Sequence, residues 1–445
     1  MSENWTNMTA SDLGRGIERG KIDPVELTQT YFIAIDAHVD KDRIYARLTK
    51  DRAMAEAKAA QARAKLKTRR SLLDGVPISW KDLFDTAGVP TESGSLLLNG
   101  RTPDTDAKVL QNASNAGLIC LGKTHQTELA FSGLGVNPKT ATPPNSIQHD
   151  LAPGGSSSGA AVSTALGLAA AGIGSDTGGS VRIPSAWNDL VGLKTTSGLL
   201  SLQGVVPLCA KFDTVGPLCR SVEDAAQLLA VLGDQKLADL SNPSLKGKRF
   251  AVPMENALEN CEDEVRANFE ATVTQLEEAG AHFAPIETPE ITEAFDLAAC
   301  LFTAEAYATW GETIEKDPDV MFEGVRKRFQ SGQSYSAVEY IRAWQRLDQL
   351  RAQYAANTAA YDAIALPTCA MLPPIAQRLM DDADYFQRYN LEALKKTRIA
   401  NLMGLCALTI PSGTHHIGIS FAAKPFAENA LLRLGAAAEQ ALRTS

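Results

Sequence analysis

Apolar and polar positions along this chain fall into blocks, first at helical spacing and then as short apolar runs between helical stretches. Thr9-Ala-Ser-Asp12 reads as the start of a short helix. Asp23-Pro24 opens a second, with Asp as the cap and Pro in the first turn. Val25, Tyr31, Phe32 and Ile35 broadly share one face of it. A third helix, rich in Ala and Lys and mostly solvent-facing, is expected over Arg52–Arg69. The texture changes at Gly75. Val76–Trp80 reads as a short buried strand ending at Lys81, and Gly117–Leu121 as another.

Residues 133–159 are rich in Gly, Pro, Asn, Thr and Ser, and long irregular stretches of this kind inside a compact domain are often functional. An Ala-rich helix is expected from Gly159 to about Ala170, then a strand over Ala171–Ser175 and a second Gly-rich turn. Ser221-Val-Glu-Asp224 has the pattern of a capping box opening a helix through Leu232. Further on, a strand at Arg249–Pro253 precedes a helix whose face is Val265, Phe269, Val273 and Leu276, ending at Gly280. A strand near His282, a helical region over about 291–356 and a strand at Asp362–Leu366 complete the pattern, without internal repeats. This alternation predicts an α/β fold with a mixed sheet.

Composition narrows the function classes. The 445 residues are 44% hydrophobic and 21% charged, enough for a large core in one big α/β unit or in two or three domains. Lys and Arg number 43 against 52 Asp and Glu, a net charge of −9 that argues against a general nucleic-acid binder. The most apolar stretch, 160–173, is broken by Ser163, Thr164 and two glycines and falls short of the ~20 residues of a membrane span. The N-terminus lacks the basic-then-apolar order of a secretory signal. Seven cysteines without a C-x-x-C argue against a disulfide framework and point to the cytoplasm. His415-His416 is the one His pair, and adjacent side chains diverge, which argues against a metal site.

Candidate chemistry lies in two Gly/Ser loops, Pro153–Gly159 and Gly174–Ser180. The helix expected between them would run ~18 Å and the strand ~16 Å, so a strand folded back along the helix returns both loops to one edge. Ser156 then sits beside a helix N-terminus and Ser180 just past a strand end. Both places suit a developing anion. The successive N–H groups of Thr177, Gly178, Gly179 and Ser180 could make an oxyanion hole. A serine nucleophile needs a base, and neither loop contains a His. Lys81 is the alternative, provided it is neutral. Burial lowers a lysine pKa, and Trp80, Leu83 and Phe84 flank it. Taken singly, either loop could be a flexible connector, Ser180 a turn or cap serine and Lys81 a surface lysine. A phosphate cradle would need the G-K-[ST] ending that the first loop lacks.

From about Pro24 to Leu432 the sequence resembles the amidase signature family. The resemblance rests on Gly75-Val-Pro-Ile-Ser-Trp-Lys81-Asp, Gly122-Lys-Thr-His-Gln-Thr-Glu128, Pro153-Gly-Gly-Ser-Ser-Ser-Gly159 and Gly174-Ser-Asp-Thr-Gly-Gly-Ser-Val-Arg-Ile-Pro184. Gly192-Leu-Lys194 and Asp213-Thr-Val-Gly-Pro217 add to it. It implies a single large amidase-signature domain, a central mixed twisted sheet flanked by helices. Residues 1–70 would be a helical segment packed on a 71–445 core. It also implies a Ser–cisSer–Lys triad. Ser180 matches the acylated nucleophile, Ser156 the bridging serine with a cis peptide, and Lys81 the base. Thr177, Gly178, Gly179 and Ser157 fall among the oxyanion and substrate-binding positions, and Asp176 and Arg182 among those that brace the loops. No metal or organic cofactor is implied.

The partner implied is a small-molecule amide, with neither nucleic acid nor membrane, and dimers among relatives allow a homodimer. The alternative within the resemblance is the A subunit of a glutamyl-tRNA amidotransferase, which takes ammonia from glutamine for a partner subunit that modifies aminoacyl-tRNA. The length, the stretch after Gly413 and Lys81-Asp-Leu-Phe-Asp favour the stand-alone amidase. A catalytically silent binding protein fits less well, since all three triad positions are present. Ser158, Cys406 and Thr414-His-His-Ile-Gly-Ile depart from the family pattern, and the last lies where relatives approach the pocket. Thr127-Glu128 reads as local architecture, and Trp80 and Phe131 as core or pocket wall.

Overall fold

Short apolar runs cannot bury both faces alone, and here they do so by joining one eleven-stranded sheet covered with helices. A computed structural model describes residues 5–443. The strands are β1 Tyr45–Leu48, β2 Pro77–Lys81, β3 Ile119–Thr124, β4 Gly172–Ser175, β5 Val191–Lys194 and β6 Val215–Cys219. They continue with β7 Arg249–Pro253, β8 His282–Ile286, β9 Ala363–Pro367, β10 Cys406–Pro411 and β11 Gly418–Ala423. Their order is β1-β3-β2-β4-β6-β5-β10-β11-β9-β7-β8. Parallel pairs β3/β2/β4 and β9/β7/β8 are joined through an antiparallel middle, which makes the sheet mixed. Strands β2, β4, β5, β6, β9 and β11 are buried along their whole length, as expected of strands with both faces covered.

The helical capping signals act as the sequence suggests. The Thr9 and Asp23 side chains accept from the Asp12 and the Val25 and Glu26 amides. The third helix runs Lys50–Leu66 and buries only Ala53, Ala57 and Ala60. Its neighbour upstream differs from the expected all-helical segment: residues 45–48 form β1, antiparallel to β3. The helix after the first loop is Ser158–Ala165, shorter than expected, because Gly167 at φ 71° turns the chain back toward β4. Both it and the four-residue β4 are then ~12–13 Å long, so the geometry that returns the two loops to one edge is kept. The long helical region is three helices, Pro289–Lys316, Glu323–Gln330 and Ala337–Asn357, interrupted at Asp317-Pro318 and again at Ser331–Ser334. Strands β5, β6, β10 and β11 carried no clear sequence signal, being short and interrupted by Gly and Pro.

At Ser221 only half of the capping box forms. Its hydroxyl accepts from Asp224 N at 3.1 Å, but the Asp224 carboxylate turns away to Ala10 N (3.1 Å), Ser11 N (2.8 Å) and Ser11 Oγ (2.7 Å). Asp224 thus fastens the N-terminal helix to the body of the protein through a buried, charged acceptor. Asp224→Ala should lower unfolding stability by ~2–4 kcal/mol, because three donors lose a charged partner. Equilibrium denaturation that leaves the midpoint unchanged would show that the N-terminal helix docks without it.

Candidate active site

The site is assembled at strand ends and at the start of one helix. Lys81 is the last residue of β2 and Ser175 the last of β4, its parallel neighbour. Ser156 and Ser157 immediately precede the helix Ser158–Ala165, which packs on both strands. Lys81 Nζ lies 2.6 Å from Ser156 Oγ and 2.8 Å from Ser175 Oγ. The Gly155–Ser156 peptide is cis. Ser157 N–H donates to the Ser180 carbonyl at 3.2 Å, which brings the two loops together. The three expected triad positions therefore share one place, and none is exposed: Lys81 and Ser156 are fully buried and Ser180 is 4% exposed.

Electrostatics at Lys81 favour the neutral amine. Burial pushes its ammonium down to about 7, against the opposing pull of Asp213 and Asp176. Trp80, Leu83 and Phe84, its neighbours in the chain, are buried as well, with Trp80 and Phe84 in edge-to-face contact at 5.3 Å. A neutral amine keeps one lone pair and can still donate to Ser175, so it can accept the Ser156 hydroxyl proton. Ser175 was not singled out from sequence, although it stands in the Gly174–Pro184 stretch.

The turn carrying Ser180 is held by one buried ion pair. Arg182 meets Asp176 through Nη2–Oδ1 (2.9 Å) and Nε–Oδ2 (3.0 Å). Two further donors reach Thr397 O and Asn401 Oδ1, each at 2.6 Å. Burial alone would raise the Asp176 carboxyl, but the Arg182 charge and hydrogen bonds, helped by Lys194, hold it well below the usual carboxylate range. Asp176 also accepts from Gly179 N (2.8 Å) and Val181 N (3.1 Å).

That contact corrects one expectation. The Gly179 amide already donates to Asp176 and is not available to a substrate. Among the described residues the amides of Thr177, Gly178 and Ser180 donate to no protein group, so the expected set of four narrows to three. Gly179 itself sits at φ 140°, and a Cβ there would meet Thr397 Oγ1 at 2.1 Å. Ser157 is likewise structural in its contacts. Its hydroxyl donates to Ser175 O at 3.2 Å beneath the loops and does not line the cavity over Ser180. The Thr177 hydroxyl is spent on Asp213 Oδ1 (2.5 Å), whose other oxygen accepts from Leu208 N and Cys209 N.

Above Ser180 is a cavity of ≈ 20 Å³, room for about one water-sized group, walled by Phe131, Phe302, Leu394, Arg328 and Arg398 among others. Phe131 is thus pocket wall, while Trp80 is core. Ala130, also in this wall, has φ 60°, and Leu129 before it φ 44°, a rare conformation for side chains that carry a Cβ. Glu128 organises this wall: it accepts from Ser95 Oγ and from Phe322 N, both at 2.8 Å, and Phe322 precedes the helix that carries Arg328. The departure at residues 414–417 lies in the turn between β10 and β11 and contributes nothing to the cavity wall. A larger cavity of ≈ 800 Å³, lined in part by Lys194 and Asn401, contains neither Lys81 nor these serines. No group of three or more His, Cys, Asp or Glu side chains among the described residues is placed to hold a metal ion.

A buried lysine on a serine, a second serine loop and a set of free amides are thus brought together without a histidine. A family model described as Amidase matches residues 26–432. The chain is 34% identical to the 2-amino-5-chloromuconic acid deaminase of Comamonas testosteroni, over 88% of this chain and 87% of that protein. It is 31% identical to the A subunit of the glutamyl-tRNA(Gln) amidotransferase of Sinorhizobium medicae, over 98% and 97%. The fold superposes on an amidase crystal structure with a TM-score of 0.87 at 26% identity, covering 97% of this chain and 99% of that one. For the peptide amidase of Stenotrophomonas maltophilia the values are 0.82 and 27%, covering 98% and 97%. The chain belongs to the amidase signature family, and it is a hydrolase of carbon–nitrogen bonds in amides. No helix among the described residues is long and apolar enough to cross a membrane.

Arg182→Met should destabilise the protein by ~3–5 kcal/mol, because it leaves the Asp176 carboxylate buried and unpaired. Thermal and denaturant unfolding measure this. A variant as stable as the parent would mean that Asn401 and the 179 and 181 amides suffice.

Proposed function

We propose that this chain is a stand-alone amidase that cleaves a small carboxylic amide through a Ser180 acyl-enzyme, with Ser156 and Lys81 as the proton relay. The observation that carries this reading is the 2.6 Å contact between a fully buried lysine and Ser156, beside the loop that presents Ser180 to a cavity. Neutral Lys81 takes the Ser156 proton as Ser156 takes that of Ser180. Ser180 Oγ attacks the amide carbon, and the oxyanion forms against the Thr177, Gly178 and Ser180 amides. Collapse breaks the C–N bond while the relay returns the proton to the departing nitrogen. A water, deprotonated by the same relay, then attacks the acyl-enzyme and releases the carboxylic acid.

Asp176 and Arg182 act as positioning residues that hold the turn. The relative from Comamonas, whose name makes it the deaminase of an acid, supports release of ammonia from a small substrate. All seven cysteines are free, which fits a reducing cytoplasm. A second reading, the A subunit of an amidotransferase acting with partner subunits on glutamine, is supported by ~30% identity to such subunits across 98% of this chain. Homodimerisation is part of the proposal.

Ammonia and amine release from a panel of amides, glutamine included, tests the first reading against the second. A stand-alone amidase turns over simple amides as the purified single chain. Activity confined to glutamine, or seen only with a partner subunit, would favour the second. Ser180→Ala should lower kcat by at least ~10⁴-fold with the fold intact. A serine-directed fluorophosphonate that labels the parent and not this variant would locate the nucleophile, and equal labelling would remove Ser180 from that role.

The rate should depend on the protonation of Lys81. Its amine must be neutral to act, so kcat/KM should rise ~tenfold per pH unit below about 7 and level off above it. Lys81→Met should lower kcat by ~10²–10⁴-fold and abolish this limb. A flat pH profile in the parent through this range would exclude the lysine as the base.

A further inference from the structure

The cavity of ≈ 800 Å³ has no part in the reaction, and it shares no residue with the small cavity over Ser180. It is bounded by the last turns of the helix Ala337–Asn357, by residues 401–405 and by the chain leaving β11. Phe212, Tyr354, Ile364, Met403 and Ala427 give it apolar surface. Asn401 in its wall bonds both Asp176 and Arg182, so the cavity backs onto the brace of the Ser180 turn. Room for a small molecule, apolar walls and a few convergent polar groups are the usual features of a ligand site.

The charged groups of this wall are mostly cations. Lys194, Lys211, Arg351 and Lys424 face one acid, Asp362. That acid is already committed, to Lys248 Nζ at 3.1 Å and to Arg249 N at 2.9 Å. Arg351 donates to Leu402 O at 2.7 Å and has a single ion pair, at 3.6 Å, to the exposed Asp348. Lys211 lies over the Trp344 ring at 4.4 Å, and Lys424 is exposed at the rim.

Lys194, the last residue of β5, is the deep one, at 1% exposure. Its Nζ donates to Thr195 O at 2.8 Å and to Leu405 O at 2.7 Å. An ammonium carries three N–H donors, and the third has no protein partner among the described residues. Burial and the Arg182 charge bring this ammonium down to about 8, against the pull of Asp176, Cys406 and Glu428, none of which bonds to it. A buried cation with an unspent donor, at the wall of a roomy cavity, gains most from an anion.

We propose that this cavity is a second binding site, for an organic monocarboxylate with an apolar body. The carboxylate meets Lys194 Nζ, and the body lies along Phe212, Ile364 and Met403. An inorganic anion leaves the apolar wall uncovered, and a neutral apolar molecule leaves Lys194 without its counter-charge. The site does not depend on which residue is acylated.

The test is titration calorimetry on the parent with octanoate and 4-phenylbutyrate, beside octan-1-ol and inorganic phosphate. Each titration is run at about pH 6.5 and about pH 8, in two buffers of different ionisation enthalpy. At least one of the carboxylates should bind with a Kd of ~1 mM or tighter, and at least ~tenfold more tightly than octan-1-ol or phosphate. Binding favours the charged lysine, so it should take up ~0.3–0.5 proton near pH 8 and almost none near pH 6.5. Lys194→Met should weaken binding at least ~tenfold and remove the uptake, and Lys424→Glu should weaken it ~two- to fivefold. Arg398→Met, in the small cavity, should leave it within about twofold.

Failure of both carboxylates to bind, equal affinity for octan-1-ol, or binding without proton uptake near pH 8 would each overturn the site. So would loss of binding in Arg398→Met, which would move the ligand to the cavity over Ser180. If Lys194→Met does not fold, the proton uptake of the parent and the response of Lys424→Glu decide.

Discussion

Opposite charges without water must satisfy one another completely, and Asp176 and Arg182 do so at the turn that carries Ser180. Arg182 meets Asp176 with two donors and places two more on Thr397 and Asn401. The carboxylate spends its spare acceptor capacity on the 179 and 181 amides. Because those two amides are taken, the turn can present only those at 177, 178 and 180 to a substrate oxygen. The same pair therefore fixes the backbone of Ser180 and chooses which amide dipoles are left without a protein partner. Such a pair is weak evidence for net stability but strong evidence for a fixed arrangement, since removing one partner strands the other.

Charge in the pocket is arranged in two layers with opposite logic. Below Ser180, burial drives Lys81 toward its neutral form, with serine hydroxyls rather than carboxylates as its hydrogen-bond partners. Above Ser180, two guanidinium groups cannot lose their protons and keep their charge. A lysine can serve as a base because its proton is removable, and an arginine keeps a fixed positive charge because its proton is not. The aromatic wall of Phe131 and Phe302 holds both guanidinium groups by their faces, and Arg328 also donates from Nη1 to Phe131 O.

Much of the reactive centre was legible in the sequence because it depends on local pattern. Two Gly/Ser loops, the helix and strand between them, and Lys81 at the end of an apolar run are all short-range signals. Both loops return to one edge even with a shorter helix, because the strand shortened with it. The commitment of Gly179 to Asp176 was not legible, because an amide's partner depends on where a carboxylate three residues away turns. Arg328, Arg398 and Asn401 were missed for a different reason. They lie in helical stretches with ordinary composition and reach the site only through tertiary packing. Ser175 stood within a legible motif, but only the strand pairing brings its hydroxyl to Lys81.

The brace on the nucleophile turn also has a consequence for biosynthesis. Arg182 bonds to Asn401, 219 residues further along, and Thr397 Oγ1 donates to Gly178 O at 2.6 Å across the same separation. A ribosome adds residues in order, so the segment bearing Ser180 leaves the exit tunnel long before residues 397–401 exist. Through that interval Asp176 and Arg182 have each other but not the scaffold that orients them. The turn bearing Ser180 thus stays without its full brace until residues 397–401 have emerged and packed against it.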